Sequence, residues 1–419
     1  MSGIDLYLRP FWVYQLIYIP FVFAFGAIVG SFLNVVILRL PEHRNIISPP
    51  SHCPVCKSRL RWYENLPVIG WLRLRGRCAH CGTPISVQYP LIEAICGVFF
   101  VLNFVMAYMV LPTAPYIGEL LPAYLGRGVG VVATWPIPAL YCILFSALLA
   151  MTVIDLRTYT IPIELTWAVT IPALIFHAIM PIWPAGGLPP PLSQLPPGVD
   201  GFDLGMWTIP LVGPVGLGAG LGGMLGIVIS SILIRTNHLR YSFLDFDFYV
   251  KDGDEIIDYP HPRRELEWEL DFLGPIILGI ILGRLVGSAW SGTELPLWAA
   301  SLGGSMVGYL VGGGLIWLFR LAGTLAFGKE AMGLGDAHLL ACVGAVLGWV
   351  DPILVFFLAP FLAIGGMLVG TILSRLVRGF ARYIPYGPWL ALAAMVVVFG
   401  DRWIEPLLEA ILNVPLNLP

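Results

Sequence analysis

Residues 353–373 read ILVFFLAPFLAIGGMLVGTIL, a run of 21 residues without a charged side chain. About 20 apolar residues in a helix suffice to cross the roughly 30 Å hydrocarbon core of a bilayer. Nine further apolar runs occur, so the chain is predicted to be an all-α polytopic membrane protein with eight to ten transmembrane helices. These runs lie at residues 12–38, 91–111, 137–154, 161–181, 208–234, 273–290, 296–319, 337–350 and 387–404.

The composition of the whole chain supports this fold class. Of the 419 residues, 58% are hydrophobic and 12% are charged, and the mean hydropathy is +0.82. Ordinary soluble domains carry roughly 25% charged residues. The composition therefore excludes a soluble globular enzyme, a disordered chain and a nucleic-acid-binding protein. It makes the lipid bilayer an expected partner.

The distribution of basic residues predicts the orientation. Lys and Arg concentrate in the cytosolic loops of membrane proteins. If the N-terminus lies outside, 19 of the 23 Lys and Arg residues fall in loops on the inner side. The loops predicted to be cytosolic are residues 39–90, 155–160, 235–272, 320–336 and 374–386.

The spans and loops divide the chain into five segments. The loop at 181–207 contains seven prolines between Pro181 and Pro197 and is predicted to be external and largely irregular. The acidic segment at 236–272 is predicted to be a cytosolic insertion with a hairpin around Asp252-Gly253. The segments are the first span (1–40), a cytosolic cysteine module (41–90), spans carrying Asp155 (91–181), an insertion with extra spans (182–295) and the final spans carrying Asp336 (296–419).

Four cysteines predict a structural metal centre in the module. Cys53 and Cys56 form one CxxC pair, and Cys78 and Cys81 form a second pair after 21 intervening residues. Two such pairs supply the tetrahedral four-thiolate shell of structural Zn²⁺. A closed shell leaves no position for water, so the predicted zinc stabilises the fold of the module. Another metal or a redox pair is the alternative.

Other polar residues of the module have two interpretations each. His52 and His80 flank the cysteine pairs and are either surface residues or substitute ligands. The basic residues either contact anionic lipid headgroups or bind an acidic partner. These basic residues are Lys57, Arg59, Arg61, Arg73, Arg75 and Arg77.

Two aspartates stand at the ends of predicted spans. Asp155 ends the third span, and Asp336 begins the eighth, after Gly333 and Gly335, which would let the backbone unwind. A carboxylate costs roughly 2.5–3.5 kcal/mol at the centre of a membrane helix, so those that remain are functional candidates. The predicted topology puts both at the cytosolic face, where two neighbouring carboxyls would share a proton. One could deprotonate a water while the other hydrogen-bonds a scissile carbonyl, which predicts an aspartyl protease.

Simpler hypotheses remain open for both residues. Asp155 is alternatively an interfacial cap or a salt-bridge partner of Arg157, and Asp336 is alternatively a helix N-cap. A polytopic transporter that couples ions through membrane carboxylates is a second functional hypothesis. A non-enzymatic membrane scaffold organised by the zinc module is a third.

These motifs resemble the type 4 prepilin peptidase family of bacterial membrane aspartyl proteases and occur in the family's order. Together they cover residues 26–166 and 330–395. The GxGD element is also similar to that of presenilin and archaeal preflagellin peptidases. The similar stretches are GSFLNVVILRLP at 30–41, the module from Cys53 to Cys81 with residues 85–93, the Asp155 segment, Gly333-Leu-Gly335-Asp336, and YIPYGP at 383–388.

The resemblance implies an activity and assigns residues to it. The family cleaves the short basic leader of prepilins and pseudopilins at the cytosolic face of the bacterial cell membrane. Asp155 and Asp336 match its catalytic positions, and the four cysteines match its zinc ligands. Many members also methylate the new N-terminus with S-adenosylmethionine, and the zinc domain is associated with those members. No residue of this sequence is assigned as an S-adenosylmethionine ligand.

The sequence departs from the family at three places. His338 stands where the family usually has Lys, which replaces a fixed charge with one that depends on pH. Ile163 stands where the family often has a second Asp, and Glu164 follows it, which favours Asp155 as the catalytic member. The insertion at 182–295 has no counterpart in the resemblance.

Two further features have more than one interpretation. The GxGxxG pattern from Gly218 to Gly223 lies inside an apolar span, so it predicts helix packing through small residues rather than a dinucleotide site. Glu93 lies just inside the second span and is either a cytosolic cap or a residue for methyl transfer.

Overall fold

A computed structural model describes residues 16–106, 135–179, 201–203, 208–240, 242, 262–292, 294–376 and 385–412. In this part of the chain there are eleven helices and one two-stranded hairpin. The helices are α1 (Ile19–Arg39), α2 (Ile69–Arg73), α3 (Gln88–Val105), α4 (Pro136–Thr158), α5 (Ile163–Ile179), α6 (Pro214–Arg235), α7 (Pro262–Ala289), α8 (Leu297–Phe327), α9 (Leu334–Leu347), α10 (Asp351–Leu376) and α11 (Gly387–Leu412). Strands β1 (Gly201–Asp203) and β2 (Thr208–Pro210) pair antiparallel.

The helices confirm the predicted fold class. Seven of them, namely α1, α3, α4, α6, α7, α8 and α10, are long and apolar enough to cross a membrane. Three more, α5, α9 and α11, contain shorter apolar helices of 10–17 residues. Each of the ten overlaps a predicted span, and the chain is a multi-pass membrane protein.

Three boundaries differ from the predictions because hydropathy does not register paired charges or short strands. Helix α7 begins at Pro262, eleven residues before the predicted span, and includes Glu265 and Glu269, both buried. Proline is well suited to the first position of a helix. Helix α8 continues through Arg320, which was assigned to a loop, as far as Phe327. Residues 208–210, predicted to begin a span, form strand β2.

Two predicted loops are described only in part. Residues 201–203 of the proline-rich loop form strand β1 rather than irregular chain. The rest of that loop, residues 181–200 and 204–207, lies outside the described residues. So does the hairpin predicted around Asp252-Gly253.

The chain divides into two compact units, Met1–Ala168 and Val169–Pro419. In the first unit, α1, α3 and α4 pack together, and the cysteine module lies in the chain between α1 and α3. The Asn34 side chain donates to the Tyr89 carbonyl across α1 and α3 at 3.1 Å. The Asn103 side chain donates to the Pro138 carbonyl across α3 and α4 at 2.8 Å. The helices of this unit are therefore joined by hydrogen bonds from buried side-chain amides in addition to apolar contacts.

In the second unit, glycines bring α6 and α7 into backbone contact. A Cβ atom added at Gly222 would lie 1.9 Å from the Gly279 carbonyl oxygen, and one added at Gly218 would lie 2.2 Å from the Gly283 carbonyl oxygen. Small residues four apart allow such close approach between membrane helices. The predicted packing role of the GxGxxG stretch is confirmed.

In the second unit, the His177 side chain of α5 contacts residues of α8 and α9. The His177 Nε2 atom lies 3.0 Å from the Val346 carbonyl oxygen, and the Ser301 hydroxyl lies 3.3 Å from His177 Nδ1. His177 is buried, so its ring is satisfied by partners within the unit.

We expect Gly222→Ala to destabilise the protein, because the new methyl group collides with the α7 backbone and forces the helices apart. Overpacking of this kind costs about 1–3 kcal/mol. The measurement is the thermal unfolding midpoint of the detergent-purified protein. Gly274→Ala is the matched control, since a Cβ there meets nothing within 4 Å. Equal midpoints for the two variants would contradict the close packing of α6 on α7.

Candidate functional site

The four predicted metal ligands come together in the first unit. The Sγ atoms of Cys53, Cys56, Cys78 and Cys81 all lie within 4.8 Å of one another. The Cys53–Cys81 sulfur distance is 3.8 Å and the Cys56–Cys78 distance is 4.0 Å. A tetrahedral thiolate shell with metal–sulfur bonds of about 2.3 Å has edges of about 3.8 Å. The cluster therefore has the donor set and dimensions to hold a metal ion.

Each cysteine pair lies on a tight turn with the same backbone path. In the first turn, the Cys53 N–H donates to the Ser58 carbonyl at 3.0 Å, and the Lys57 N–H donates to the Cys53 carbonyl at 3.0 Å. Lys57 has a φ of 59°, a left-handed conformation that turns the chain back toward the cysteine cluster. The second turn repeats both hydrogen bonds and the positive φ with Cys78, Gly82 and Thr83. The two halves of the cluster are thus built alike.

A hydroxyl accompanies one sulfur in each turn. The Cys56 sulfur lies 2.8 Å from the Ser58 hydroxyl, and the Cys81 sulfur lies 3.3 Å from the Thr83 hydroxyl. The hydrogen bond with Ser58 lowers the pKa of Cys56, and that with Thr83 lowers the pKa of Cys81 to about 6. Because the thiolate is the form that binds metals, both hydroxyls favour metal binding. Sequence reasoning missed them, although a hydroxyl residue two positions after the second cysteine of each pair was visible.

The two flanking histidines lie outside the cluster. The His52 Nδ1 atom lies 2.9 Å from the Pro50 carbonyl oxygen, and the His80 Nε2 atom lies 3.8 Å from a Glu64 carboxylate oxygen. Among the described residues, the group that could hold a metal consists of the four cysteines alone. The alternative that the histidines replace a cysteine ligand gains no support.

Polar contacts join the module to the adjacent helices. The Glu93 carboxylate of α3 is buried and accepts the Val68 N–H at 2.7 Å, just before α2 begins. Val68 has a φ of 59°, a strained conformation for a β-branched residue that this bond helps to hold. The Arg39 guanidinium at the end of α1 donates to the carbonyls of Asn45 and Pro49 at 3.0 and 2.8 Å. Glu93 thus joins the start of α2 to α3, and its two predicted roles, a cytosolic cap and a residue for methyl transfer, stay predictions.

Asp155 lies in the last turn of α4 and is 5% exposed. Its carbonyl accepts the Tyr159 N–H at 2.9 Å, and Tyr159 ends the helix in a left-handed conformation. The C-terminal end of a helix carries partial negative charge, so a carboxylate there is not stabilised as a cap. The Arg157 side chain hydrogen-bonds to Gln88, the first residue of α3. The end of α4 that carries Asp155 therefore lies close to the start of α3, where the cysteine module joins this helix.

Asp336 lies in the first turn of α9 and is 9% exposed. The N-cap of α9 is Gly333, so the alternative that Asp336 is itself the N-cap is wrong. The expected unwound backbone reaches only to Gly333, because Gly335 is already helical. Burial, and secondly the charge of Asp336, raise the pKa of Tyr386. Tyr386 belongs to the YIPYGP stretch, which the fold brings within electrostatic reach of Asp336.

The two aspartates belong to different units, Asp155 to the first and Asp336 to the second. Their pairing stays a prediction.

Another group of charged residues was missed by sequence reasoning because its members were assigned to loops. It comprises Arg320, Glu269 and Glu330, which form ion pairs in the second unit.

Comparisons with known proteins match both units. A family model described as Bacterial Peptidase A24 N-terminal domain matches residues 24–107, which contain the four cysteines. A second, described as Type IV leader peptidase family, matches residues 273–368, which contain Asp336. Asp155 lies between the two matched ranges.

Curated relatives carry the same name, prepilin leader peptidase/N-methyltransferase. The protein of Myxococcus xanthus is 47% identical over 105 residues, which are 24% of this chain and 31% of that relative. The protein of Aeromonas hydrophila is 28% identical over 415 residues, covering 92% of this chain and 93% of the relative. That of Neisseria gonorrhoeae is 30% identical over 261 residues, or 53% of this chain and 79% of the relative. No solved structure matches the chain.

The Aeromonas hydrophila relative matches the chain nearly from end to end, and 79% of the Neisseria gonorrhoeae relative is matched at 30% identity. The family models fall on the cysteine module and on the segment around Asp336. The chain belongs to the type IV leader peptidase family.

Proposed function

We propose that this protein is a prepilin leader peptidase that cleaves the basic leader of prepilins or pseudopilins at the cytosolic face of a bacterial cell membrane. The observation that carries the proposal is a match along nearly the whole chain to proteins of that name, in a chain that keeps buried aspartates at two helix ends. The substrate would place its hydrophobic helix in the bilayer and its leader in the cytosol.

Asp155 and Asp336 are the proposed catalytic pair. If each of the ten apolar helices crosses the bilayer once, the end of α4 and the start of α9 lie on the same side, because α9 is the eighth crossing. The module precedes α3 on that side too. Helix order thus supports the predicted meeting of the two carboxyls, although they are 181 positions apart in sequence.

The helix ends suggest different roles for the two carboxyls. A helix N-terminus stabilises negative charge and a C-terminus destabilises it, typically by 0.3–1 kcal/mol at exposed sites and up to about 2 kcal/mol when partly buried. Asp336, in the first turn of α9, is therefore the proposed carboxylate. Asp155, in the last turn of α4, is the proposed protonated partner.

These roles give a balanced reaction. The Asp336 carboxylate takes a proton from water, and the resulting hydroxide bonds to the scissile carbonyl carbon while Asp155 gives its proton to the carbonyl oxygen. The C–N bond then breaks as the leaving nitrogen takes the proton from Asp336. The proton on the diol oxygen returns to Asp155, which restores both groups.

Methylation of the new N-terminus is proposed as a second activity, supported by the names of the relatives and by the cysteine module. S-adenosylmethionine would supply the methyl group. A cavity of about 430 Å³ lies between α1 and the module, but no carboxylate lines it to pair with the amino group or the sulfonium. No residue is therefore assigned to this cofactor.

Zinc is the metal proposed for the cysteine cluster. Four thiolates in a tetrahedral arrangement are typical of structural Zn²⁺, which would stabilise the module without taking part in catalysis. The module has only one short helix, α2, and little core of its own, so metal binding would supply much of its stability.

We expect Asp155→Asn and Asp336→Asn each to abolish leader cleavage, since each removes one of the two proton-transfer groups. The measurement is cleavage of a model prepilin by the purified protein in lipid, together with the amount of protein in membranes. Asp271→Asn, at an exposed acid of α7, is the control and should leave cleavage unchanged. Normal cleavage by either catalytic variant would end the proposal for the pair.

Elemental analysis of the purified wild-type protein should find about one zinc per chain, as one four-thiolate site requires. Cys53→Ser should remove it, because three thiolates leave the shell incomplete. Cys142→Ser, at a cysteine of α4 outside the cluster, should keep the metal. Zinc retained by Cys53→Ser would reject the ligand set.

Mass spectrometry of the mature product should show one added methyl group on the N-terminal amine when S-adenosylmethionine is present. Omission of S-adenosylmethionine should leave cleavage intact and the amine unmodified. A product that stays unmodified with the cofactor present would restrict this enzyme to proteolysis.

A further inference from the structure

A charged cluster in the second unit contacts the connection between α8 and α9, the helix that carries Asp336. Arg320 of α8 is 1% exposed, and all three of its guanidinium nitrogens have partners. Its Nε and Nη2 atoms donate to Glu269 of α7 at 2.9 and 2.8 Å, and the Nε atom also lies 3.2 Å from the second Glu269 oxygen. Its Nη1 atom donates to Glu330 at 2.5 Å and to the Met332 carbonyl.

Stability alone does not explain this arrangement. Arg320 and Glu269 are both at most 2% exposed, and a fully buried ion pair is often no more stable than apolar side chains of the same size. An apolar side chain in place of Arg320 could not bind a backbone carbonyl and two carboxylates at fixed positions. The planar guanidinium fork imposes directions on its partners that packing does not.

The partners of Arg320 fix the connection between α8 and α9. Helix α8 ends at Phe327, and its C-cap is Gly328, whose φ is 69° and whose N–H donates to the Thr324 carbonyl at 2.9 Å. The Ala331 N–H donates to the Thr324 hydroxyl at 3.3 Å. With Arg320 holding Glu330 and the Met332 carbonyl, contacts run along the connection up to Gly333, the N-cap of α9.

Asp336 is the third residue of α9, so its position follows from the place where this helix begins. We propose that Arg320, held by Glu269, is a positioning residue that sets the start of α9 and with it the Asp336 carboxyl. The inference rests on the proposed peptidase function for its catalytic consequence. The effect on the backbone of residues 329–335 does not depend on that function.

Two variants test the inference. Glu330→Ala removes one contact of Arg320 to the connection while the buried pair with Glu269 remains, and the Glu330 side chain is 35% exposed, so the fold should tolerate the change. The double variant Glu269→Leu with Arg320→Met removes both buried charges together and leaves neither unpaired. Arg284→Met, at an exposed residue of α7, is the matched control for the arginine.

The measurements are kcat and KM for a model prepilin, amide hydrogen exchange of residues 329–335, and the thermal midpoint. In the double variant kcat should fall about 100-fold, as expected when a catalytic group is displaced by about 1 Å, with KM changed less than about threefold. Exchange at 329–335 should become faster while the thermal midpoint stays close to the wild type. Glu330→Ala should show a smaller change in the same two readouts, and Arg284→Met should show none.

Wild-type kcat in both the double variant and Glu330→Ala would overturn the inference, as would a loss of kcat with unchanged exchange at 329–335. If the double variant does not accumulate in membranes, Glu330→Ala decides alone. A wild-type protein that cleaves no prepilin would instead refute the proposed function, and the exchange measurement would still show whether Arg320 holds the start of α9.

Discussion

Burying charge among apolar helices is costly. In both units, this cost determines which charged side chains can be buried near the candidate functional residues. An unpaired charge in a low-dielectric interior is destabilised by several kcal/mol, so buried charges persist only with close partners. In the first unit, Glu93 is buried and receives the Val68 N–H. In the second, Arg320 meets two carboxylates and a carbonyl. The irregular segments beside the membrane helices are thus held by a few buried polar groups.

The same constraint explains which parts of the fold could be predicted. Ten apolar helices follow from hydropathy, because a spanning helix needs a long apolar run and little else. Their ends were misplaced where a charged residue continues a helix. Glu269 and Arg320 raise local polarity, so a hydropathy reading stops before them, yet their mutual pairing keeps both inside helices. That pairing joins residues 51 positions apart, which no local pattern could reveal.

The four-cysteine cluster, by contrast, was predicted correctly from the sequence. Two CxxC pairs at the right separation predict a four-thiolate cluster, and the sulfur atoms come together because each pair lies on the same kind of tight turn. The turn needs a left-handed residue after the second cysteine, supplied by Lys57 in one half and Gly82 in the other. Lysine hides this requirement from a sequence reading, and so the structural likeness of the two halves emerged only from the backbone.

The two aspartates occupy helix ends of opposite polarity. This difference bears on how two chemically identical side chains could take different roles, one as the base and the other as the proton donor. Paired carboxyls share one proton, and the one that keeps it is decided by small differences in surroundings. A carboxylate in the first turn of α9 is favoured by the aligned peptide dipoles, whereas one in the last turn of α4 is opposed by them. Each of these effects is modest, but in a pair they act in the same direction. In the proposed pair, a single proton would then reside on Asp155, and Asp336 would act as the base. Because the peptide dipoles belong to the helices themselves, this difference would be present before any substrate binds.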